Sequence, residues 1–438
     1  MRDKLDNWRM LAGKSSKTVT DFFFHVVDVC KEISRDAICY DLTDGLQKFF
    51  EKGVVVSGIA SAKKIAQEGD FLISRLRSYL QEMGIVEKRQ KDQIFSTEFL
   101  VFRQKTNQIS SFTLFALCMT DTVQTILKRG QYGTEHPRFY DFLLTKLPVP
   151  DCLSAIDPSI QKAMQQALRV RALSRDIYHQ TQSILLSELG LTNWRPNHQS
   201  WFVKHYTDLQ KAERIDADYF QPKYDEIVNA IQNYSGGYGV VGDLLNLKAK
   251  NHNPDGAREY KYIELANITE NGEVAGCTTA QGRDLPDRAR CKVAENDVIV
   301  SSVEGSLEKI AMIREEYSRD SLCSTGFHVV NSEIINPETL LVFLKSVAGR
   351  MQLKKGCSGT ILTAISEDEF RKIVLPTISK EKQAQIKEKV AESFALSKQS
   401  KHLLESAKRA VEIAIEENER AAVKWLEKQT ENANRAIR

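Results

Sequence analysis

The sequence predicts a mixed α/β (α+β) protein made of two tandem domains, each followed by a long helix. Three observations predict it: a block of text that recurs some 226 residues downstream, short β-rich runs that open each copy, and a helical apolar period that closes each copy after a proline. At 438 residues the chain is about three times a common single-domain length, which leaves room for two cores.

The repeat orders every other element. EGDFLISRLRSYLQEMGIV, from Glu68, is answered by ENDVIVSSVEGSLEKIAMI, from Glu295, pairing Asp70 with Asp297 and Ser74 with Ser301. FSTEFLVF from Phe95 matches CSTGFHVV from Cys323, and LKRGQYGT ending at Thr134 matches LKKGCSGT ending at Thr360. Pro150 pairs with Pro376 and Ile160 with Ile386; upstream, YDLTDG at Tyr40 answers IELANI at Ile263, and Thr20-Asp21-Phe22 answers Gly242-Asp243-Leu244. Order and spacing hold over more than a hundred residues, so a tandem duplication explains them and coincidence does not.

In chain order, residues 1–150 form a first domain, where Val54-Val55-Val56 and Phe71-Leu72-Ile73 are strand signals between Gly and Asp turns. Residues 151–195 read as a long helix: Ile160, Ala163, Ala167, Val170, Ser174, Ile177, Thr181, Ile184 and Leu191 step by threes and fours, with Glu188 the one charge in register. Residues 196–376 repeat the first domain, Val298-Ile299-Val300 being the matching strand. Residues 377–438 give a second helix running to about residue 430, with Leu404, Ala407, Val411, Ala414, Asn418, Ala421 and Trp425 in the same pattern. The stripe is narrow, whereas a helix lying on its own sheet would show a broader one. The two helices are therefore expected to pair, with Ser174, Thr181 and Asn418 able to fix register.

Composition narrows the function. With 42% hydrophobic and 27% charged residues the chain is globular, which excludes disorder along its whole length. Lys and Arg number 61 against 58 Asp and Glu, a net charge of +3, so any nucleic-acid contact has to come from local patches. No run of 18 apolar residues occurs and the first thirteen residues carry five charges where a signal peptide would need an apolar core, so a cytoplasmic protein with no membrane association is expected. The eight cysteines form no CxxC pair, which argues against a zinc site and against a disulfide framework; they read as reduced, mostly buried small hydrophobes.

Most catalytic motifs fail on context. Gly237-Tyr238-Gly239-Val240-Val241-Gly242 spells GxGxxG, but a helical pattern (Ile227, Val228, Ile231) precedes it where a strand is needed, so it reads as a turn before a strand. Asp255, Glu259 and Lys261 have the residue types of a metal-dependent nuclease, yet the two carboxylates lie only four residues apart with no strand between, and a solvated loop is the better reading. A P-loop, a Pro-Pro dipeptide and a close histidine pair are all missing from the sequence. The expectation is a binding protein whose partners act.

Binding features occur at matched places in the two copies. Ser74, Arg75, Arg77 and Ser78 follow a strand directly, where they could reach phosphates and guanine edges; the second copy has Ser301 and Ser302 there and no arginine. Lys128 and Arg129 lead to Thr134, and Lys354 and Lys355 lead to Thr360, each through a Gly-Thr turn. Ordinary solvated turns would look the same, so each residue stands as a candidate.

YKYIELANITENGEV, ENDVIVSS, STGFHVV with INPETLLVFLKS, and GCSGTILTAISEDEFRKIVLPTISKEKQAQI together resemble the DNA specificity subunits of type I restriction-modification enzymes. The resemblance covers residues 205–420 and, through the repeat, more weakly 17–190. It implies two target recognition domains, each reading half of a gapped duplex DNA site, and two helices paired as an antiparallel coiled coil with approximate two-fold symmetry. It implies no catalysis and no cofactor in this chain. Two methylation subunits would use S-adenosylmethionine to modify adenine, and restriction subunits would use ATP and magnesium. The rival expectation is a scaffold whose coiled coil assembles proteins without DNA. Two departures stand out. Arg214-Ile215-Asp216-Ala217-Asp218-Tyr219-Phe220, a typical domain opening in that family, has no counterpart before Asp21; either the first domain starts shorter or the helix of the second opening serves both. The first copy also has Glu98 where the second has Gly326, and Tyr132-Gly133 for Ser358-Gly359, which leaves its loop geometry open.

Overall fold

The apolar runs Phe71-Leu72-Ile73 and Val298-Ile299-Val300 become inner strands of an antiparallel sheet in each copy, whereas Val54-Val55-Val56 becomes an exposed edge strand. The computed structural model describes residues 2–46, 48–50, 53–359 and 363–435. It divides into one unit of Met1–Arg171 with Leu396–Arg438 and a second of Ala172–Ala395.

In the first unit a four-stranded sheet runs in the order Phe23–Val26, Phe99–Gln104, Phe71–Ser74, Met83–Ile85, antiparallel throughout. A five-stranded sheet runs Val29–Cys30, Lys63–Ala66, Asp92–Phe95, Ala37–Tyr40, Val54–Val56, with one parallel pair between Ala37–Tyr40 and Asp92–Phe95. The second unit repeats both. Its antiparallel sheet is Asn246–Leu247, Phe327–Asn331, Val298–Ser301, Ile310–Met312. Its other sheet is Ala289–Lys292, Ser321–Ser324, Glu259–Ile263, Thr278–Gln281, again with one parallel pair, Glu259–Ile263 on Ser321–Ser324. Each antiparallel sheet is backed by two short helices, Ser111–Met119 and Asp121–Arg129 in one unit, Pro337–Lys345 and Val347–Gly356 in the other. Burying Phe71, Phe102, Phe115 and Leu117 in the first core, and Val298, Val300, Leu341 and Phe343 in the second, supplies the hydrophobic drive, about 1.5–3 kcal/mol for each such side chain.

The repeat extends to single bonds. Asp70 and Asp297, both buried, accept from the amides three residues earlier, Gln67 N at 2.9 Å and Ala294 N at 2.6 Å. The residue before each is left-handed, Gly69 at φ 86° and Asn296 at φ 68°, the two residue types that tolerate this turn best. Their counter-cations come from different places: Arg103, on strand Phe99–Gln104, grips Asp70 through two bonds of 2.8 and 3.0 Å, and Lys248, just after strand Asn246–Leu247, reaches Asp297 at 2.5 Å.

Helix Arg2–Ala12 packs on helix Asp121–Arg129 and strand Pro148–Val149, just as Pro222–Gln232 packs on Val347–Gly356 and Val374–Pro376. Each domain therefore has its own opening helix, so the helix of the second opening does not serve both. In the second unit Arg214 pairs with Asp216, donates to the Cys357 carbonyl at 3.1 Å and lies over the Tyr219 ring.

The long helices are Leu153–Glu188 and Lys380–Glu416, and they run antiparallel. In the first unit Ser400 Oγ donates to the Ala167 carbonyl at 2.8 Å and Arg171 donates to Ser397 Oγ at 2.9 Å. In the second, Ser174 and Ser393 each donate to the other's carbonyl at 2.8 Å, and Lys382 pairs with Glu188 at 2.9 Å. Ser174 thus sits in the seam as expected, while the buried Thr181 donates to the Ile177 carbonyl of its own helix at 2.8 Å. Asn418 is a correction. It is exposed, the second helix stops before it, and its Oδ1 accepts from Ala421 N at 2.9 Å to cap a separate helix, Glu419–Arg435. That helix turns back within the first unit, where Gln399 Nε2 donates to the Ala433 carbonyl at 2.7 Å.

Among the described residues no helix is long and apolar enough to cross a membrane. The cysteines are free, four buried and four half-buried.

Candidate nucleic-acid interface

In both domains the strand after the Asp turn ends in a serine that builds the next loop. Ser74 Oγ accepts from Leu76 N at 3.2 Å, and Ser301 Oγ accepts from Val303 N at 3.2 Å. The following amides, Arg75 N and Ser302 N, donate to the Glu98 and Gly326 carbonyls at 3.1 and 2.8 Å. Those turns are themselves alike, since Ser96 Oγ accepts from Glu98 N and Ser324 Oγ from Gly326 N. Leu76 and Val303 then each form a lone bridge to a hairpin, to Arg138 in one case and Ala364 in the other. The Glu98 and Gly326 turns are therefore the same turn, while the loop after Ser358-Gly359 runs through residues 360–362, outside the described residues.

The side chains differ. Glu98 accepts from Arg138 through bonds of 2.7 to 3.1 Å and from Arg75 Nε at 3.0 Å; Arg75 also reaches Asp141 at 3.4 Å. The Arg138 hydrogen bond, with help from Arg75 and against partial burial, holds the Glu98 carboxyl below its usual range. In the second copy Ser302 Oγ simply donates to the Gly326 carbonyl at 3.0 Å.

The sequence candidates take up distinct places. Ser74, Ser78, Ser301 and Ser302 are buried, with Ser78 Oγ accepting from Gln131 Nε2 at 2.9 Å. Arg75 is ion-paired as above. Arg77 is left-handed at φ 48°, donates its amide to the Pro137 carbonyl and places its guanidinium 3.0 Å from His136 Nδ1. Lys128 and Arg129 are exposed in the last turn of their helix, and Thr134 is exposed after Gly133, in the loop joining Gln131–Tyr132 to Arg138–Phe139. Lys354 is exposed; Lys355 turns back to Asp225 at 3.3 Å and lies over Tyr219. Thr360 lies outside the described residues. In the first copy the Gln131 to Ser78 and Arg77 to Pro137 bonds join both candidate loops into one assembly.

Several members of that assembly are not among the sequence's binding candidates: Glu98 and Tyr132, noted only as departures between the copies, and His136, Arg138, Tyr140 and Phe142, the rings of Tyr132, Tyr140 and Phe142 being exposed. The signal was present in QYGTEHPRFYDF, whose four aromatics in twelve residues are more than a solvated turn needs.

The rejected motifs are accounted for. Gly237 is a left-handed turn residue ahead of strand Tyr238–Val240, which pairs with Val374–Pro376 and leads into a four-residue helix, so no phosphate cradle forms there. Glu259 and Lys261 sit on a strand and not in the expected loop, but Lys261 Nζ donates to the Glu316 carbonyl at 2.6 Å and Asp255 caps Ala257 N. Among the described residues no cluster of three His, Cys, Asp or Glu could hold a metal ion.

No family model matches the sequence, and no curated protein matches it. Solved structures do align with it. One is a chain from a study of assembly and conformational transition in a type I R-M system, at 15% identity over 94% of this chain and 96% of that one, with a TM-score of 0.30. Another is the HsdS subunit from Thermoanaerobacter tengcongensis, at 16% identity over 94% and 95%, TM-score 0.29. A third is the type I restriction-modification S subunit from M. genitalium, at 12% identity over 94% and 95%, TM-score 0.35. Likeness at this level leaves the functional reading to the chain's own residues: over nearly its whole length, the chain is similar to subunits of type I restriction-modification systems.

Proposed function

We propose that this chain is the DNA specificity subunit of a type I restriction-modification complex, with residues 1–150 and 196–376 each recognising one half of a gapped duplex site. The observation that carries the reading is the duplicated loop-and-hairpin assembly. One backbone frame, sharing the bonds of Arg75 and Ser302, Arg77 and Glu304, and Phe139 and Ile365, presents Arg75, Arg77, Glu98 and Arg138 in one copy and Ser302, Gly326 and Ala364 in the other. Two equal frames with unlike surfaces suit two unlike half-sites. Arg77, Lys128, Arg129, Thr134, Lys354 and Thr360 are the proposed DNA contacts; Ser74, Ser78, Ser301 and Ser302 shape the loops, and Arg75 and Lys355 position their neighbours. With exposed basic residues at the helix ends, binding is phosphate-dominated and weakens with salt. The long helices, in residues 151–195 and 377–438, act as spacer and as dock for methylation and restriction subunits, which supply S-adenosylmethionine, ATP and magnesium chemistry.

The test is a methylome of cells carrying the cognate methylation subunit, with and without this chain. The expected result is a gapped motif methylated on adenine only when the chain is present. A stable complex with the methylation subunit but no new motif would favour the DNA-independent scaffold.

A further inference from the structure

Three aromatic rings stand in a row at the surface of the first domain. Tyr132, Tyr140 and Phe142 are 42%, 50% and 55% exposed. Tyr132 stacks on Tyr140 at 4.3 Å, and Tyr140 on Phe142 at 5.7 Å, with the planes within about 26°. A single exposed aromatic is ordinary, but a stacked row held half in water is a surface that a partner completes.

The row is held rigidly. Tyr132 pairs with Arg138 across the hairpin, and Arg138 is clasped by Glu98. Arg75 binds both Glu98 and Asp141, and Asp141 stands in the chain between Tyr140 and Phe142. The ion pairs thus serve as struts for the rings and leave the acids beside them neutralised.

The hairpin itself does not need the rings. At the matching positions the second copy has Ser358, Ser366 and Asp368, and its hairpin, Cys357–Ser358 with Ala364–Ile365, forms without them. Ser366 instead caps the next helix through Glu369 N at 3.2 Å. A function confined to one copy explains the difference where a folding role does not.

Cations flank the hairpin in the chain and at its loop. Lys128 and Arg129 end the helix that leads into Tyr132, and Arg77 lies beside His136 in the same hairpin loop. Planar faces bordered by positive charge suit a nucleobase on its phosphate backbone better than an apolar peptide, because bases stack on aromatic rings while the backbone seeks cations. We infer that Tyr132, Tyr140 and Phe142 form a stacking platform for an unstacked nucleobase of one half-site. The inference rests on the DNA-binding reading above. It makes the two half-sites physically unlike: one is read partly by stacking and local deformation of the duplex, the other by polar contacts alone.

The experiment uses the full chain with its methylation subunits and a duplex carrying the motif, with 2-aminopurine placed at one position after another through both half-sites. The expected result is a fluorescence change at one or two adjacent positions in a single half-site. Tyr140→Ala should abolish it and weaken binding about tenfold or more, on the order of one lost base stack. Tyr140→Phe should retain both signal and affinity, and thermal melting should show that each variant is folded. A silent scan together with Tyr140→Ala binding within about twofold would overturn the platform and leave the specificity role standing. Unchanged DNA affinity with loss of a partner subunit would overturn it too, since the rings would then dock protein. A chain with neither motif nor duplex affinity would overturn both readings.

Discussion

His328 lies on an inner strand of the second unit, its ring stacked on Phe370 at 4.5 Å and its Nε2–H donated to the Ile365 carbonyl at 3.2 Å. Burial pushes its pKa down to about 4 from 6.5. Between those values the unfolded chain binds a proton that the folded chain refuses. Stability is therefore complete above pH 6.5 and falls as the pH drops toward 4, by about 1.4 kcal/mol per unit. The matching residue in the first copy is Leu100, which cannot titrate. Urea melts between pH 7 and pH 4 should show the second unit losing about 3 kcal/mol, and His328→Gln should flatten that slope; parallel slopes would discount the histidine. At this scale the sequence was informative about kinds of residue and less so about their roles. Ser74 and Ser301 were visible as a matched pair, but a hydroxyl written next to a loop looks the same whether it faces DNA or closes a turn. The partner that decides, the amide two residues on, is visible only once the chain has folded.

Among the elements, the helix seam was legible because its apolar period survives any tertiary context. What fills the seam explains its closeness: Ser174, Ser393 and Ser400 are small enough to let the backbones approach, and each donates to a carbonyl on the other helix. Replacing Ser393 by Leu forces a bulky side chain between two backbones and should cost about 1–3 kcal/mol. Ser393→Ala should cost only about 1 kcal/mol, and thermal melts of the two variants test the ordering. The end of the second helix was misread because two signals competed at Asn418. Ala421 and Trp425 continue the seam period, yet an asparagine ahead of Glu419 is also a helix start, and the cap prevailed. The opening helix of the first domain went unseen for the opposite reason: RDKLDNWRMLA and PKYDEIVNAIQ share almost no letters, and only their packing shows them to be equivalent.

For the whole molecule, the duplication was the most legible property, since it needs only order and spacing. Its division into units was not. The first unit takes residues from both ends of the chain, and Leu403, Ala407, Ala410 and Val411 belong to the same apolar core as Phe71 and Leu117. The second is one continuous stretch, Ala172–Ala395. A fragment of residues 172–395 should melt in a single cooperative transition, whereas residues 1–171 alone should bind hydrophobic dyes and melt broadly. Calorimetry and dye fluorescence on the two fragments check this, and a sharp transition for residues 1–171 would contradict it.

The discontinuity of the first unit also reverses the usual order of completion on the ribosome. The part made first waits, its core open, while residues 172–395 are synthesised, roughly 10–50 s at about 5–20 residues per second. The unit that starts later can close earlier. A premature stop near the end of the message would therefore harm the domain encoded at its beginning, and spare the one encoded just upstream of the lesion.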